Sequence, residues 1–366
     1  MIKVKVPGKL YLVGEYAILA PKSQAVAVAV DRFLTVALTP LETTGQLETA
    51  LSDHVISWAW EGTTLTSPNH KRFDLVFSAI EAVARYIGRY DHFRVQIHSE
   101  LDATDGTKLG LGSSGAVSVA IVRALGEYYG LWSSTPDDSE RTLLFKLAAL
   151  SQYQAGYHGS YGDLAAIAYT GMVRYRNFDH DFIATGVPLA GATLRTWLTE
   201  SWPGLAIERL HLPVDWHFLV AWTKQAASTD ALIQQENNEV TTPTLKANQP
   251  QYFQSLITQS QAIIDRFVAG ISSVDWPSVS QALYDNAEAL MNYTAHVGKP
   301  YLTSLAAKSV QIARQYGAMS KISGAGGGDC VIALAPKTLI AKAVIEQWQK
   351  HHIPPLALTI YEEVTG

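Results

Sequence analysis

KLGLGSSGAVSVAIVRALGEYYG, residues 108–130, sets a glycine-rich turn at 110–113 directly before an apolar run at about 114–129. The run has the composition and length of a buried helix, so the segment reads as turn, then helix start. Glycines there remove side chains that would hold a ligand off the backbone. The first turn of a helix leaves N–H groups unpaired, and these suit the oxygens of a phosphate. The hydroxyls of Ser113 and Ser114 can bond phosphate or complete the shell of a magnesium ion. The loop lacks the GK[ST] ending of a P-loop. Gly110, Gly112 and Gly115 satisfy GxGxxG, but no acidic residue follows on a suitable strand, so a dinucleotide fold is not indicated. The plainer alternative is that Ser113 or Ser114 merely caps the helix.

Strands and helices alternate outward from this segment. Residues 2–6 alternate polar and apolar as a strand that Pro7 and Gly8 break, and valine-rich 25–38 reads as one or two strands. Strands are also expected at 54–60 and 92–98. Between them Phe73, Val76, Phe77, Ile80, Val83, Ala84 and Ile87 form one helical stripe. A helix over about 138–155 leads to the loop GYHGSYGD, 156–163. Beyond it, 191–198 and 216–223 read as strands, and long helices are expected at about 250–268, 276–296 and 301–317. Residues 321–334 read as strand, glycine turn, strand, followed by a helix at 337–349 and a strand at 355–363. The pattern is α+β with two domains, 1–185 and 186–366.

Two further loops and one lysine carry chemistry. Gly324 to Gly328 are interrupted only by Ala325, far more glycine than a hairpin needs, which suggests close approach to a ligand or another loop. Asp163 ends the 156–163 loop, where it can orient a hydroxyl or simply cap the next turn. Lys9 sits among apolar neighbours, where its ammonium can snorkel to solvent, meet a phosphate or pair with an aspartate. Glu15 reads as a partner for backbone or a cation.

Composition narrows the class. With 28 Lys and Arg against 33 Asp and Glu, the formal charge is -5, which excludes a protein that coats nucleic acid. A single cysteine, Cys330, excludes an internal disulfide and a cysteine-built metal centre and fits a reducing cytoplasm. The opening alternates Lys and Val and is not read as a signal peptide. No run of 18 apolar residues suggests a membrane span. No HExxH pattern or GxSxG elbow occurs.

Taken together, three stretches resemble the motifs of the GHMP kinase superfamily, most closely its phosphomevalonate kinase branch. They are KLYLVGEYAIL at 9–19, KLGLGSSGAVSV at 108–119 and KISGAGGGDCVIAL at 321–334. WPGLAIERL at 202–210 and WTKQAASTDALI at 222–233 resemble that branch on the substrate side. The resemblance implies a first domain like domain 2 of ribosomal protein S5 and a ferredoxin-like second domain. It implies phosphorylation of 5-phosphomevalonate by ATP with Mg2+, in the cytoplasm, by a monomer or homodimer with no nucleic-acid or membrane partner. The related alternatives are another small-molecule kinase such as mevalonate kinase, or a non-catalytic nucleotide sensor.

The implied roles fall residue by residue. Lys9 and Asp163 are catalytic. Lys108, Gly110, Leu111, Gly112, Ser113, Ser114 and Gly115 hold the phosphates, with Ser114 on the metal. Tyr16, His158, Ser160, Ser228, Thr229, Gly324, Ala325 and Gly326 join Lys9 around the substrate, and Gly327 helps shape the same wall. This chain departs from the pattern in three places. Tyr157 and His158 stand where the branch has a small residue and an amide, Lys224 where it commonly has glycine. Gln152 occupies the position of the magnesium-binding glutamate of mevalonate kinases.

Overall fold

The computed structural model describes residues 1–103, 106–224, 250–299, 301–328 and 330–363. Its centre is one long strand, β2 (Gln24–Leu41), whose Ala25–Val30 stretch is buried on both faces. That is why AVAVAV reads as a continuous apolar run instead of an alternation. β1 (Ile2–Val13) pairs antiparallel along β2, with register shifts between Pro7 and Gly8 and between Tyr11 and Val13. The expected break at Pro7 is therefore a bulge: proline donates no ladder bond, and the strand bends and continues.

The other edge of β2 takes two partners. β6 (His92–Ser99) pairs with residues 34–41 and β7 (Met172–Arg176) with 24–28, both antiparallel. With β3 (Gly45–Thr49), β4 (Ile56–Glu61), β5 (Thr64–Thr66) and β8 (Ala206–Leu210), the order is β5-β4-β3-β6-β2-β7-β8, with β1 on β2. Helices α1 (Asp74–Ile87), α2 (Ser113–Tyr128), α3 (Asp138–Gln154) and α4 (Gly162–Tyr169) pack against one another, and α2 and α4 also pack on β1 and β2. Short helices α5 (His180–Gly186) and α6 (Gly191–Thr199) extend this layer.

The second half holds a four-stranded antiparallel sheet in the order β10-β11-β9-β12, from β9 (His217–Trp222), β10 (Met319–Ile322), β11 (Cys330–Ala335) and β12 (Pro355–Leu356). Around it stand α7 (Pro250–Ser272), α8 (Trp276–His296), α9 (Ser304–Gln315) and α10 (Thr338–Lys350). The α+β class follows the expectation. Among the described residues no helix is long and apolar enough to cross a membrane.

Three expectations are corrected. Residues 191–199 are helical, because Leu194, Trp197 and Leu198 make one buried stripe at helical spacing. The closing strand is only Pro355–Leu356, and beyond it the chain makes a single bridge, Ile360 to Val30. The boundary near 185 does not fit the sheets, since β8 pairs with β7 and so residues to Leu210 belong with the first sheet.

The tail also returns to the first sheet. Tyr361 N donates to Ala29 O (2.9 Å) and Gly171 N to Tyr361 O (2.6 Å), which fills the stretch of β2 between β6 and β7. Glu363 then bonds Arg123 of α2 (2.7 Å) and the fully buried Arg141 of α3 (2.8 Å). Removing that carboxylate's charge leaves two desolvated guanidinium groups short of an acceptor. We expect Glu363→Gln to lower unfolding free energy by ~2 kcal/mol, the scale of a lost charge-assisted hydrogen bond, measured by urea denaturation. An unchanged midpoint would remove the tail from the forces that hold the first half together.

Candidate active site

Lys9 lies on β1, half-buried, and its backbone N–H donates to Leu111 O (2.8 Å). This bond lays β1 along the glycine turn. Gly112 is the N-cap of α2 with φ 79°, and a Cβ there would sit 2.6 Å from Lys9 Cε. Glycine is thus required twice, for the left-handed backbone and for the lysine stem that crosses it. The ammonium lies 4.8 Å from the centre of the Tyr11 ring.

No side chain caps α2, so neither Ser113 nor Ser114 has the plain capping role. By contrast α3 has a full capping box from Asp137 and Glu140. The first-turn N–H groups of α2 keep their appetite for an anion, reinforced by the helix dipole. Leu111 has its side chain in the core, so only its backbone can face a ligand. Lys108 is exposed and bridges to Asp102 across the loop base, where burial pushes the Asp102 carboxyl up and the Lys108 charge draws it back.

Asp163 approaches from α4. The cap of that helix is Tyr161, not Asp163, and its side chain makes no cap bond, while Ser160 Oγ accepts from Gly162 N (3.4 Å) in the first turn. Tyr161 holds a left-handed backbone (φ 59°), rare for a bulky residue. Its buried ring stacks on Phe178 and its hydroxyl donates to Tyr157 O (3.0 Å), which fixes the strained turn. The result aims Asp163 at α2: a Cβ on Gly115 would lie 2.6 Å from Asp163 Oδ2.

Tyr11, not anticipated from the sequence, sits between these groups. Its hydroxyl hydrogen-bonds Ser160 Oγ (3.2 Å). Burial, and then the Asp163 charge, push its phenol well above the usual tyrosine range, so it remains protonated. A signal existed, since residues 9 and 11 of one strand share a face. We expect Tyr11→Phe to cost about 1 kcal/mol in kcat/KM through loss of the Ser160 bond, and Tyr11→Leu to cost more by removing the ring beside Lys9. Steady-state kinetics on both variants check the order, and equal values would strip the ring of its role.

The remaining predicted residues divide. The 156–163 loop brings Ser160 to Tyr11, whereas His158 is exposed with its ring edge-on to Tyr153 (4.5 Å). Tyr16 donates its hydroxyl to Ala325 O (2.7 Å), which puts it on the glycine loop of 324–328. Ser323 Oγ accepts from Tyr11 N (2.8 Å), and Cys330 Sγ donates to Leu109 O (3.1 Å), so the second half abuts both β1 and the phosphate-type turn. Ser228 and Thr229 lie outside the described residues. Gln152 donates to Ser118 Oγ (3.2 Å) in the α2–α3 packing. Among the described residues no group of three or more His, Cys, Asp or Glu could hold a metal ion by itself.

Comparison with known proteins identifies the family. A model of the GHMP kinases N terminal domain matches residues 74–171, and one of the GHMP kinases C terminal matches 275–353. The phosphomevalonate kinase of Streptomyces sp. (strain CL190) is 32% identical, covering 96% of this chain and 95% of its own. Among solved structures, the Lin0012 protein from Listeria innocua superposes with a TM-score of 0.85 at 28% identity, over 99% of both chains. Streptococcus pneumoniae phosphomevalonate kinase, in complex with phosphomevalonate and AMPPNP, does so with 0.82 at 26%, over 99% of this chain and 100% of its own. With a lysine, an aspartate and an uncapped helix start converging as a phosphate-handling site would require, and with a relative of this identity along nearly the whole length, the chain is a kinase of the GHMP superfamily and belongs to its phosphomevalonate kinase family.

Proposed function

We propose that this enzyme transfers the γ-phosphoryl group of ATP to the terminal phosphate of 5-phosphomevalonate, giving ADP and 5-diphosphomevalonate. The observation that carries the reading is the convergence of Lys9 and Asp163, from separate elements, on the uncapped start of α2. In the step an acceptor phosphate oxygen bonds the γ-phosphorus as the bond to the ADP oxygen breaks. The acceptor's second pKa is near 6, so it is already largely deprotonated at neutral pH and needs no strong base.

Repulsion between the two anions is the harder problem. At 4 Å and an effective dielectric of about 20, one pair of like unit charges costs roughly 4 kcal/mol. Lys9 and the N–H groups of residues 113–115 offset this and stabilise the charge on the equatorial oxygens in transit. Asp163 orients Lys9 and the acceptor. The first half holds the nucleotide phosphates, and residues 324–327 wall the reacting phosphate from the second half. Substrate contacts are assigned to Ser160, His158, Tyr16 and the Ser228–Thr229 pair.

A magnesium ion carried on the nucleotide fits the donor set. Ser114 offers one oxygen, no ready-made metal cage stands among the described residues, and Gln152 is spent on Ser118. Ser114 would hold such an ion together with the phosphates and water, and the ion would supply charge neutralisation between the phosphates. Both co-substrates are multiply charged and water-soluble, which fits a cytoplasmic enzyme.

The test is coupled ADP release with mevalonate, its 5-phosphate and its 5-diphosphate offered separately. Release with the 5-phosphate alone is expected. Release with mevalonate alone would move the enzyme to the mevalonate kinases, and ATP binding without release would make it a sensor.

A further inference from the structure

Loop 323–328 links β10 to β11, yet its placement is governed from the other half of the chain. Glu15, buried in the turn after β1, ion-pairs with Lys321 of β10, itself almost fully buried. The same carboxylate accepts from Gly324 N (3.3 Å) and from Asn286 Nδ2 of α8 (3.0 Å). Asn286 Oδ1 in turn accepts from Gly14 N (3.1 Å), and Lys321 also donates to Ile322 O (2.6 Å). Tyr301 completes the cradle: its carbonyl accepts from Gly327 N (2.9 Å) and its ring covers Gly326.

We propose that Glu15 and Lys321 are positioning residues for phosphoryl transfer, a buried ion pair that sets the 323–328 loop beside the site lined by Lys9, Tyr11 and Asp163. The inference rests on the reading of that loop as a wall to the reacting phosphate.

Stability alone is a poor reason for the pair, because well-packed neutral residues of similar volume are often as stable as a buried ion pair. Geometry is a better one. A carboxylate is an acceptor on both oxygens, so it takes the ammonium, the Gly324 N–H and the Asn286 amide at once. An amide at position 15 presents a donor in place of one oxygen and opposes at least one of these partners. The loop can then relax away from β1, and small misplacements near a reacting group cost up to about a hundredfold in rate.

The test compares Glu15→Gln, Lys321→Met and the double variant by kcat, KM for each substrate and melting temperature. We expect each single change to lower both kcat and melting temperature. The double change should restore most of the melting temperature while kcat stays down by about tenfold or more, with KM for ATP moved less than about threefold. Recovery of kcat together with melting temperature would show a merely structural pair, and values near wild type in all three would overturn the proposal.

Hydrogen exchange on the unaltered protein gives a readout that needs neither folding variants nor turnover. The Gly324 and Gly327 amides should be protected, and exchange at the rate of an unstructured peptide would overturn the proposal. If the unaltered enzyme releases no ADP with 5-phosphomevalonate, the functional reading falls and the pair's part in transfer falls with it, and amide protection then tests only whether the pair holds the loop. If it turns over normally and the variants do too, only the pair's role falls.

Discussion

Lys9→Ala is expected to lower kcat/KM by a factor of about 100 or more, some 3 kcal/mol of transition-state stabilisation, while leaving the protein folded. The scale is that of one preorganised donor removed from a site where charge is in transit. The structure explains the preorganisation. The lysine's own backbone is tied to Leu111, its stem crosses Gly112, and its ammonium stands beside the Tyr11 ring. Little freedom remains to be lost when phosphate arrives. Arginine is not expected to substitute well, because a wider planar group must pass over the same glycine. Steady-state rates with an unchanged melting temperature check the prediction. Turnover close to that of the unaltered enzyme would take Lys9 out of the reaction.

Asp163→Asn is expected to produce a loss of similar or greater size, about 100- to 1000-fold, and the ratio to the unaltered enzyme should stay flat from about pH 6 to 9. The amide keeps the size that fits above Gly115 but removes the charge to which the proposed mechanism gives the orienting of Lys9. Because the acceptor oxygen is already deprotonated over most of this range, hydroxide has nothing to replace. A variant that regains activity as pH rises would instead identify Asp163 as the base that takes a proton from the acceptor.

Much of this site could be read from the chain because glycine, proline and charge mark local geometry. The 110–115 turn, Asp163 at the end of its loop and the 324–328 glycines all declare themselves within a few residues of sequence. What escaped depends on distance along the chain. Glu15 was legible as a partner for backbone or a cation, but 306 residues separate it from Lys321 and nothing local names that lysine. Tyr11 stands among the apolar residues of KLYLVGEYAIL, and only the fold brings Asp163 and Ser160 around its hydroxyl. Residues 191–199 misled for a different reason. The apolar positions of GATLRTWL permit both periods, and packing of α6 beside α1 and α3 chose the helical one. The domain boundary was misplaced because β8 reaches its neighbour after two intervening helices.

The return of the tail to β2 bears on how such a chain matures during synthesis. Residues 359–363 leave the ribosome after every other segment described, yet they occupy a gap in the sheet that began forming with the first. The amino-terminal half therefore emerges with one edge of β2 incompletely paired and with Arg123 and Arg141 lacking their carboxylate. Its full cohesion arrives only once residues 359–363 have been made, which makes a nascent chain stalled before residue 359 an incomplete fold and a target for quality control.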